Sequence, residues 1–332
     1  MQVASPVLAV RWLIAACALV AIDALAQTLP GSLDVEWNAG AEDCAASPQP
    51  PLQVHAYAPR TYILRQSPCA NFEANLLYLL IGSSKALLLD TGAVAEPEHM
   101  PLATTVRRLV REASGSDLPL IVAHTHRHAD HRAGDAQFEA AVGTVIVPVE
   151  SEAMRAFFGF DRWPQGEATL DLGSRIVHVL PAPGHHPDHL VFHDEPTGLL
   201  LTGDFLLPGR LLVDDTAAYL ESAQRVATFA REHELTHVLG GHVELDAHGR
   251  LYPHGASHHP DERSLALGAE HVQALPGALR EFNGFYAAHD GFVLTHPVHL
   301  LTVLAAGALT LLVLLGWGVV AWIRRARRTA RP

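Results

Sequence analysis

Between positions 124 and 131 the chain reads His-Thr-His-Arg-His-Ala-Asp-His, four histidines and an aspartate in eight residues. The apolar run 119–123 directly before it predicts a buried strand that delivers these side chains to its end. In an extended segment residues two apart project to one side, so His126 and His128 share a face, while Asp130 and His131 turn another way as the chain enters a helix. Imidazole and carboxylate groups so clustered are metal ligands rather than packing groups, and the pattern has room for two metals. Three more candidate ligands follow apolar runs ending in glycine: His185 after Ala182-Pro183-Gly184, Asp204 after Leu201-Thr202-Gly203, and His242 after Gly240-Gly241. A nitrogen and oxygen set without thiolate suits zinc and also admits iron or manganese. Two ions sharing a water would bring its pKa toward neutrality and polarise the bond under attack. The expected nucleophile is therefore a bridging hydroxide.

The elements that must position these groups are legible as short β-prone runs alternating with amphipathic stretches. Strands are expected over 62–64, 76–81, 86–89, 119–123, 144–149, 176–180, 189–192, 199–202 and 236–239, and helices over 101–113 and 216–233. Strands with helices between them imply a layered α/β fold. Residues 27–51, rich in Pro, Gly and acidic side chains, read as a flexible lead-in to a domain spanning 52–242. Residues 243–299 lack strand signals and read as a loop and helix extension, a cap over the site or a spacer. Within it His254, His258 and His259 are candidates for substrate contact or for a solvated loop.

Both ends carry topological signals. Residues 1–26 have Arg11, an apolar stretch and Ala24-Leu25-Ala26, the features of a cleaved export signal. The uncharged run 300–323 would span about 36 Å as a helix, enough for a hydrocarbon core of about 30 Å. The basic tail 324–332 follows it, which predicts a single-pass helix in the inner membrane with the domain on the periplasmic or extracellular side. In that oxidising setting Cys44 and Cys69, the only cysteines after the signal, are expected to form a disulfide. The net charge is −12, and residues 27–299 hold 17 basic against 34 acidic side chains. Such a field repels a phosphate backbone, which excludes nucleic acid and leaves a small-molecule substrate and the membrane as partners.

The ordered set Asp90 in Leu87-Leu88-Leu89-Asp90-Thr91-Gly92, then His126, His128, Asp130 and His131, then His185, Asp204 and His242, resembles the metallo-β-lactamase-fold hydrolase superfamily. The resemblance covers 52–242 and implies an αββα sandwich with the site between the sheet edges. It implies that His126, His128 and His185 hold one metal, that Asp130, His131 and His242 hold a second, and that Asp204 bridges them. Asp90 would orient the ligand loop from behind, and Asp130, besides being a ligand, would hold the proton released during turnover, as the geometry common in such sites implies.

Asp204 also bears on the bond cleaved. By the resemblance, true β-lactamases of this fold generally lack that aspartate, whereas glyoxalase II-type thioesterases, lactonases, phosphodiesterases and alkyl sulfatases keep it. His189, four residues after His185, is a further glyoxalase II-like spacing and a candidate substrate contact. Lys85 is the only lysine between 27 and 299. A glutathione tail therefore finds no evident basic patch, and a neutral ester, thioester or lactone suits the acidic surface better. The alternatives are a β-lactamase or phosphodiesterase, a persulfide dioxygenase-type oxidoreductase with one iron on His126, His185 and Asp204, and a tethered metal-binding module without turnover.

Overall fold

In the computed structural model, residues 28 and 30–329 are described. The expected signal at 1–26 and the last residues of the basic tail lie outside them. The first sheet is β1 (Leu52–Ala58), β2 (Thr61–Gln66), β3 (Leu76–Ile81), β4 (Ala86–Leu89), β5 (Leu120–Ala123) and β6 (Thr144–Ile146), in that order. The second comprises β7 (Ala168–Asp171), β8 (Ile176–Pro181), β9 (Leu190–Asp194) and β10 (Leu199–Gly203). After β11 (Arg210–Leu212), β12 (His237–Gly240) and β13 (Ala266–Leu267) complete it in the order β13-β12-β10-β9-β8-β7.

Alternation along the strands shows how the layers stack. Leu76, Tyr78, Leu80, Leu87 and Leu89 of the first sheet share one core with Leu190, Phe192, Leu199, Leu201 and Leu239 of the second. The intervening Leu77, Leu79, Ile81 and Leu88 face the opposite way, onto Leu102, Val106, Leu109 and Val110 of α1 (Leu102–Ser114). On the far side Val191, Leu200 and Val238 meet α4 (Thr216–Glu232) and α5 (Ala269–Glu281). Strands covered on both faces need continuous apolar runs, which is why β3 and β4 are buried along their whole lengths. The result is the expected α/β sandwich of helix, sheet, sheet and helix. The loop between β5 and β6 carries the one-turn α2 (Ala129–Arg132), and α3 (Ser151–Phe158) lies between β6 and β7.

The compact unit extends past its expected limits of 52 and 242. Residues 28–50 lack strands, but they are not loose. Cys44 is bonded to Cys69, Ser32 N donates to Tyr57 O at 2.8 Å and Asn38 N to Gln53 Oε1 at 2.7 Å. Closing a loop of 25 residues contributes about 3 kcal/mol in the chain-entropy picture. Residues 243–299 supply β13, α5, β14 (Tyr286–Ala288) and β15 (Val293–Thr295). Strands of two or three residues are too short for their periodicity to show in sequence. β15 pairs with β11 and β14 to form a third sheet, so the extension joins the body instead of forming a separate cap.

β15 leads into α6 (Pro297–Thr329). Its span Leu301–Arg325 is long and apolar enough to cross a membrane, and none of its apolar window is buried against the domain.

One buried group in the body gives a pH signature. His193 on β9 is 2% exposed, with Nε2 3.3 Å from Glu234 O and Nδ1 without a partner. Burial pushes its pKa down to about 4, whereas an unfolded histidine takes up its proton near pH 6.5. The stability conferred by the neutral ring is therefore complete above pH 6.5 and is lost as pH falls toward 4, by about 3 kcal/mol. His193→Gln is expected to lose less Tm than the parent between pH 7 and pH 4.5. Equal losses would remove His193 as the cause.

Candidate metal centre

Asp90, the His124–His131 segment, His185, Asp204 and His242 follow the C-terminal ends of β4, β5, β8, β10 and β12. The two sheets are stitched together there: Leu190 N donates to Thr125 O at 2.7 Å and Leu76 N to Gly241 O at 2.8 Å. Two groups of side chains result, each with ligand atoms within 4.8 Å of one another: His126, His128, His185 and Asp204, and Asp130, His131 and His242.

Asp204 stands between the groups with one oxygen toward each. Its Oδ2 lies 3.5 Å from His185 Nε2 and 3.9 Å from His126 Nε2, and its Oδ1 lies 3.3 Å from His131 Nε2 and 3.4 Å from His242 Nε2. Gly241 makes room for this arrangement, because a Cβ there would stand 2.9 Å from Asp204 Oδ1 and 3.0 Å from His131 Cε1. Gly203, at φ +50°, likewise lets the chain pass Thr125, which a Cβ would meet at 2.6 Å.

The ring nitrogens turned away from the cluster have acceptors of their own. His131 Nδ1 donates to Asp90 Oδ2 at 2.9 Å, His242 Nδ1 to Glu73 O at 2.6 Å and His185 Nδ1 to Leu212 O at 3.2 Å. Each bond places a proton on Nδ1 and aims Nε2 inward, where a neutral ring offers a lone pair to a metal and a protonated ring an N–H to the carboxylates. The inward atoms crowd together: His131 Nε2 is 3.3 Å from His242 Nε2 and 3.1 Å from Asp130 Oδ2. Asp204 Oδ1 is buried and accepts no hydrogen bond. Acceptors converging on acceptors in a buried site are costly unless a cation lies among them, so the residues present fit bound metal.

The electrostatics point the same way. Burial disfavours charge on His131, but Asp204 and Asp90 outweigh it and hold the imidazole well above its ordinary pKa. Against the same burial, Asp204 and Asp130 push His242 up to about 9. Burial alone would raise Asp130 and Asp204; hydrogen bonds from His131 and His242 dominate at Asp130, and the charges of those two histidines dominate at Asp204, so both stay far below the usual carboxylate range. In the other group burial lowers His126 and His185, and at His185 the attraction of Asp204, 3.5 Å away, does not reverse it.

Asp90 braces the ligand loop, accepting from Thr125 N at 2.8 Å and Thr125 Oγ1 at 2.9 Å besides His131. His189 is fully buried, stacked on His126 with ring centroids 5.0 Å apart and neither nitrogen bonded. It packs beneath a candidate ligand. His259 is buried as well. It stacks on Tyr252 at 4.3 Å and bonds Glu262, whose carboxylate takes a bidentate pair from the fully buried Arg65 at 2.6 Å. His258 forms a backbone bridge with Gly40. These two histidines fasten residues 28–50 to the body, and only His254, against the exposed Phe72 at 5.1 Å, stays on the surface. Asn75 was not foreseen: its Nδ2 lies 3.5 Å from Asp130 Oδ2 and 3.4 Å from His242 Nε2. An asparagine entering an apolar strand carries no signal of that kind in sequence.

Residues 71–279 match the metallo-beta-lactamase superfamily. The chain belongs to that superfamily. Among its relatives is a hydroxyacylglutathione hydrolase of Rhodobacter capsulatus, 32% identical over 177 residues, which are 50% of this chain and 68% of the relative. A second, from Anaeromyxobacter dehalogenans, is 35% identical over 132 residues, 40% of this chain and 46% of the relative. The acyl-coenzyme A thioesterase MBLAC2 of Bos taurus is 25% identical over 215 residues, 53% of this chain and 75% of that protein. The solved structure of TMB-1 aligns with a TM-score of 0.47 at 18% identity, covering 70% of this chain and all of that one. This member of the metallo-beta-lactamase superfamily is a metal-dependent hydrolase.

Proposed function

We propose that the protein is a binuclear zinc hydrolase that cleaves a thioester, with an ester or lactone as the related alternative. The observation that carries this reading is the Asp204 carboxylate, which offers one oxygen to each ligand group. In this reading His126, His128 and His185 hold one ion, Asp130, His131 and His242 the other, and Asp204 both. Bound there, the ions supply Lewis acidity, polarising the scissile carbonyl and acidifying water. The chain does the positioning. Leu212 O, Glu73 O and Asp90 fix the ring orientations, and Asn75 holds Asp130 Oδ2 toward the cluster. The Asp130 carboxylate takes the proton released on hydrolysis and returns it to the leaving thiolate. Thioesterases among the relatives support the choice of bond.

The cell-side reading is that α6 tethers the domain to the inner membrane, with the body exported to the side where Cys44 and Cys69 oxidise. The bare apolar surface of α6 and the disulfide support it.

Zinc-loaded protein assayed on an aryl ester, a thioester, a lactone, a phosphodiester and a cephalosporin is expected to hydrolyse the thioester fastest. A cephalosporin or phosphodiester that turns over faster would overturn the assignment. Oxygen consumption on a persulfide by iron-loaded protein would move it to the oxidoreductase class.

A further inference from the structure

The third sheet is the last structure before α6, and it reaches the metal centre through one hydrogen bond. β15 runs parallel to β11 with Thr295 opposite Leu212, and Val213 N donates to Thr295 O at 2.9 Å. Leu212 O in turn accepts from His185 Nδ1. Neighbouring strands lie about 4.8 Å apart and rise about 3.3 Å per residue, so the His185 ring is within about 15 Å of the start of α6. A headgroup layer is about 5–8 Å deep on each side of the hydrocarbon core, so that separation is of the same order.

The residues leading into β14, the outer strand of this sheet, are tied to the start of α6. His299 Nδ1 donates to Gly284 O at 3.0 Å, His296 N to Phe285 O at 3.1 Å, and the Phe285 and His299 rings are 5.9 Å apart. Phe285 and Tyr286 are 40% and 48% exposed. Two adjacent aromatic side chains left uncovered beside the root of an apolar helix stand at the level where aromatic rings bridge lipid and water.

We propose that the edge of the third sheet at Phe285 and Tyr286 rests on the bilayer that α6 enters, and that the centre takes an amphiphilic acyl ester or thioester from it. The acyl chain stays in the leaflet while the carbonyl reaches the metal cluster. This deepens the hydrolase reading and rests on it and on α6 spanning the membrane. A neutral acyl linkage held by a lipid chain also suits a domain of strong negative charge.

The test uses full-length protein with Cys17→Ser, reconstituted in phosphatidylcholine vesicles and spin-labelled at one introduced cysteine: Phe285→Cys, Leu312→Cys in α6, or Val142→Cys. Val142 is 97% exposed at the end of the strands opposite the ligands. Accessibility to oxygen, which partitions into lipid, is compared with accessibility to an aqueous nickel chelate. The Leu312 label is expected to be lipid-like, the Val142 label aqueous, and the Phe285 label shielded from nickel several-fold relative to Val142. A lipid-like Leu312 with a Phe285 label as nickel-accessible as Val142 overturns the docking and leaves the anchor standing. An aqueous Leu312 label overturns the anchor and the proposal together. In the same vesicles, zinc-loaded enzyme is expected to prefer S-palmitoyl over S-acetyl N-acetylcysteamine by about tenfold or more in kcat/KM, and Phe285→Asp with Tyr286→Asp to narrow that preference. Equal rates, or a preference the aspartates do not change, overturn the substrate class. Hydrolysis of neither thioester by protein whose label docks as expected locates the failure in the hydrolase reading.

Discussion

Asp204→Ala is expected to lower kcat by about 10³-fold or more, the scale of losing a preorganised electrostatic group, and to reduce the zinc retained by purified protein. The geometry makes this the largest single loss, because its two oxygens face different histidine pairs. Its effect on stability should grow with zinc. Without metal, the charges of His131 and His242 hold Asp204 ionised, so in chelator the alanine variant, which leaves those two rings without that carboxylate, is expected to melt lower. With zinc present, the parent gains stability by mass action and the variant gains less. A variant that keeps its zinc content and a near-normal rate would remove the bridging role, and equal Tm gains in zinc would do the same.

Asp90→Asn is the next largest. Asparagine keeps the shape and tolerates the left-handed backbone at φ 62°. It replaces one acceptor oxygen by a donor, facing either Thr125 N or the Thr125 hydroxyl and His131 Nδ1. The lost bonds free the His131 ring to turn. A fall of about 10- to 100-fold in zinc affinity follows from such a change behind a ligand, with destabilisation of about 1–3 kcal/mol for each stranded buried donor. A positioning role predicts that excess zinc restores much of kcat while KM stays unchanged. Zinc affinity equal to the parent's, measured by competition with a chromogenic chelator, would show that Asp90 does not act on the centre.

The central strands and the histidine segment were legible because their signals are local. Ala86–Leu89 and Leu76–Ile81 are apolar throughout since both faces are covered, and polar side chains just after such runs stand out as ligands. Leu212 O, Glu73 O and Asn75 were not legible. A backbone carbonyl has no residue type, and an asparagine announces no partner 55 or 167 positions away. The surroundings of single histidines were not legible either: His189 lies against Phe205, and His259 between Tyr252 and Glu262, contacts that a residue type does not announce. The lead-in looked loose because its order comes from Cys69, Tyr57 and Gln53, all outside it.

The middle place of β15 in the third sheet also sets an order of events during synthesis. Among the described strands β11 hydrogen-bonds only to β15, so the carbonyl that aims His185 has no sheet to belong to until residues 293–295 have been made. Those residues adjoin the most apolar part of the chain and leave the ribosome just ahead of it. A nascent chain thus carries all seven candidate ligands well before the strand that completes the support of His185 exists.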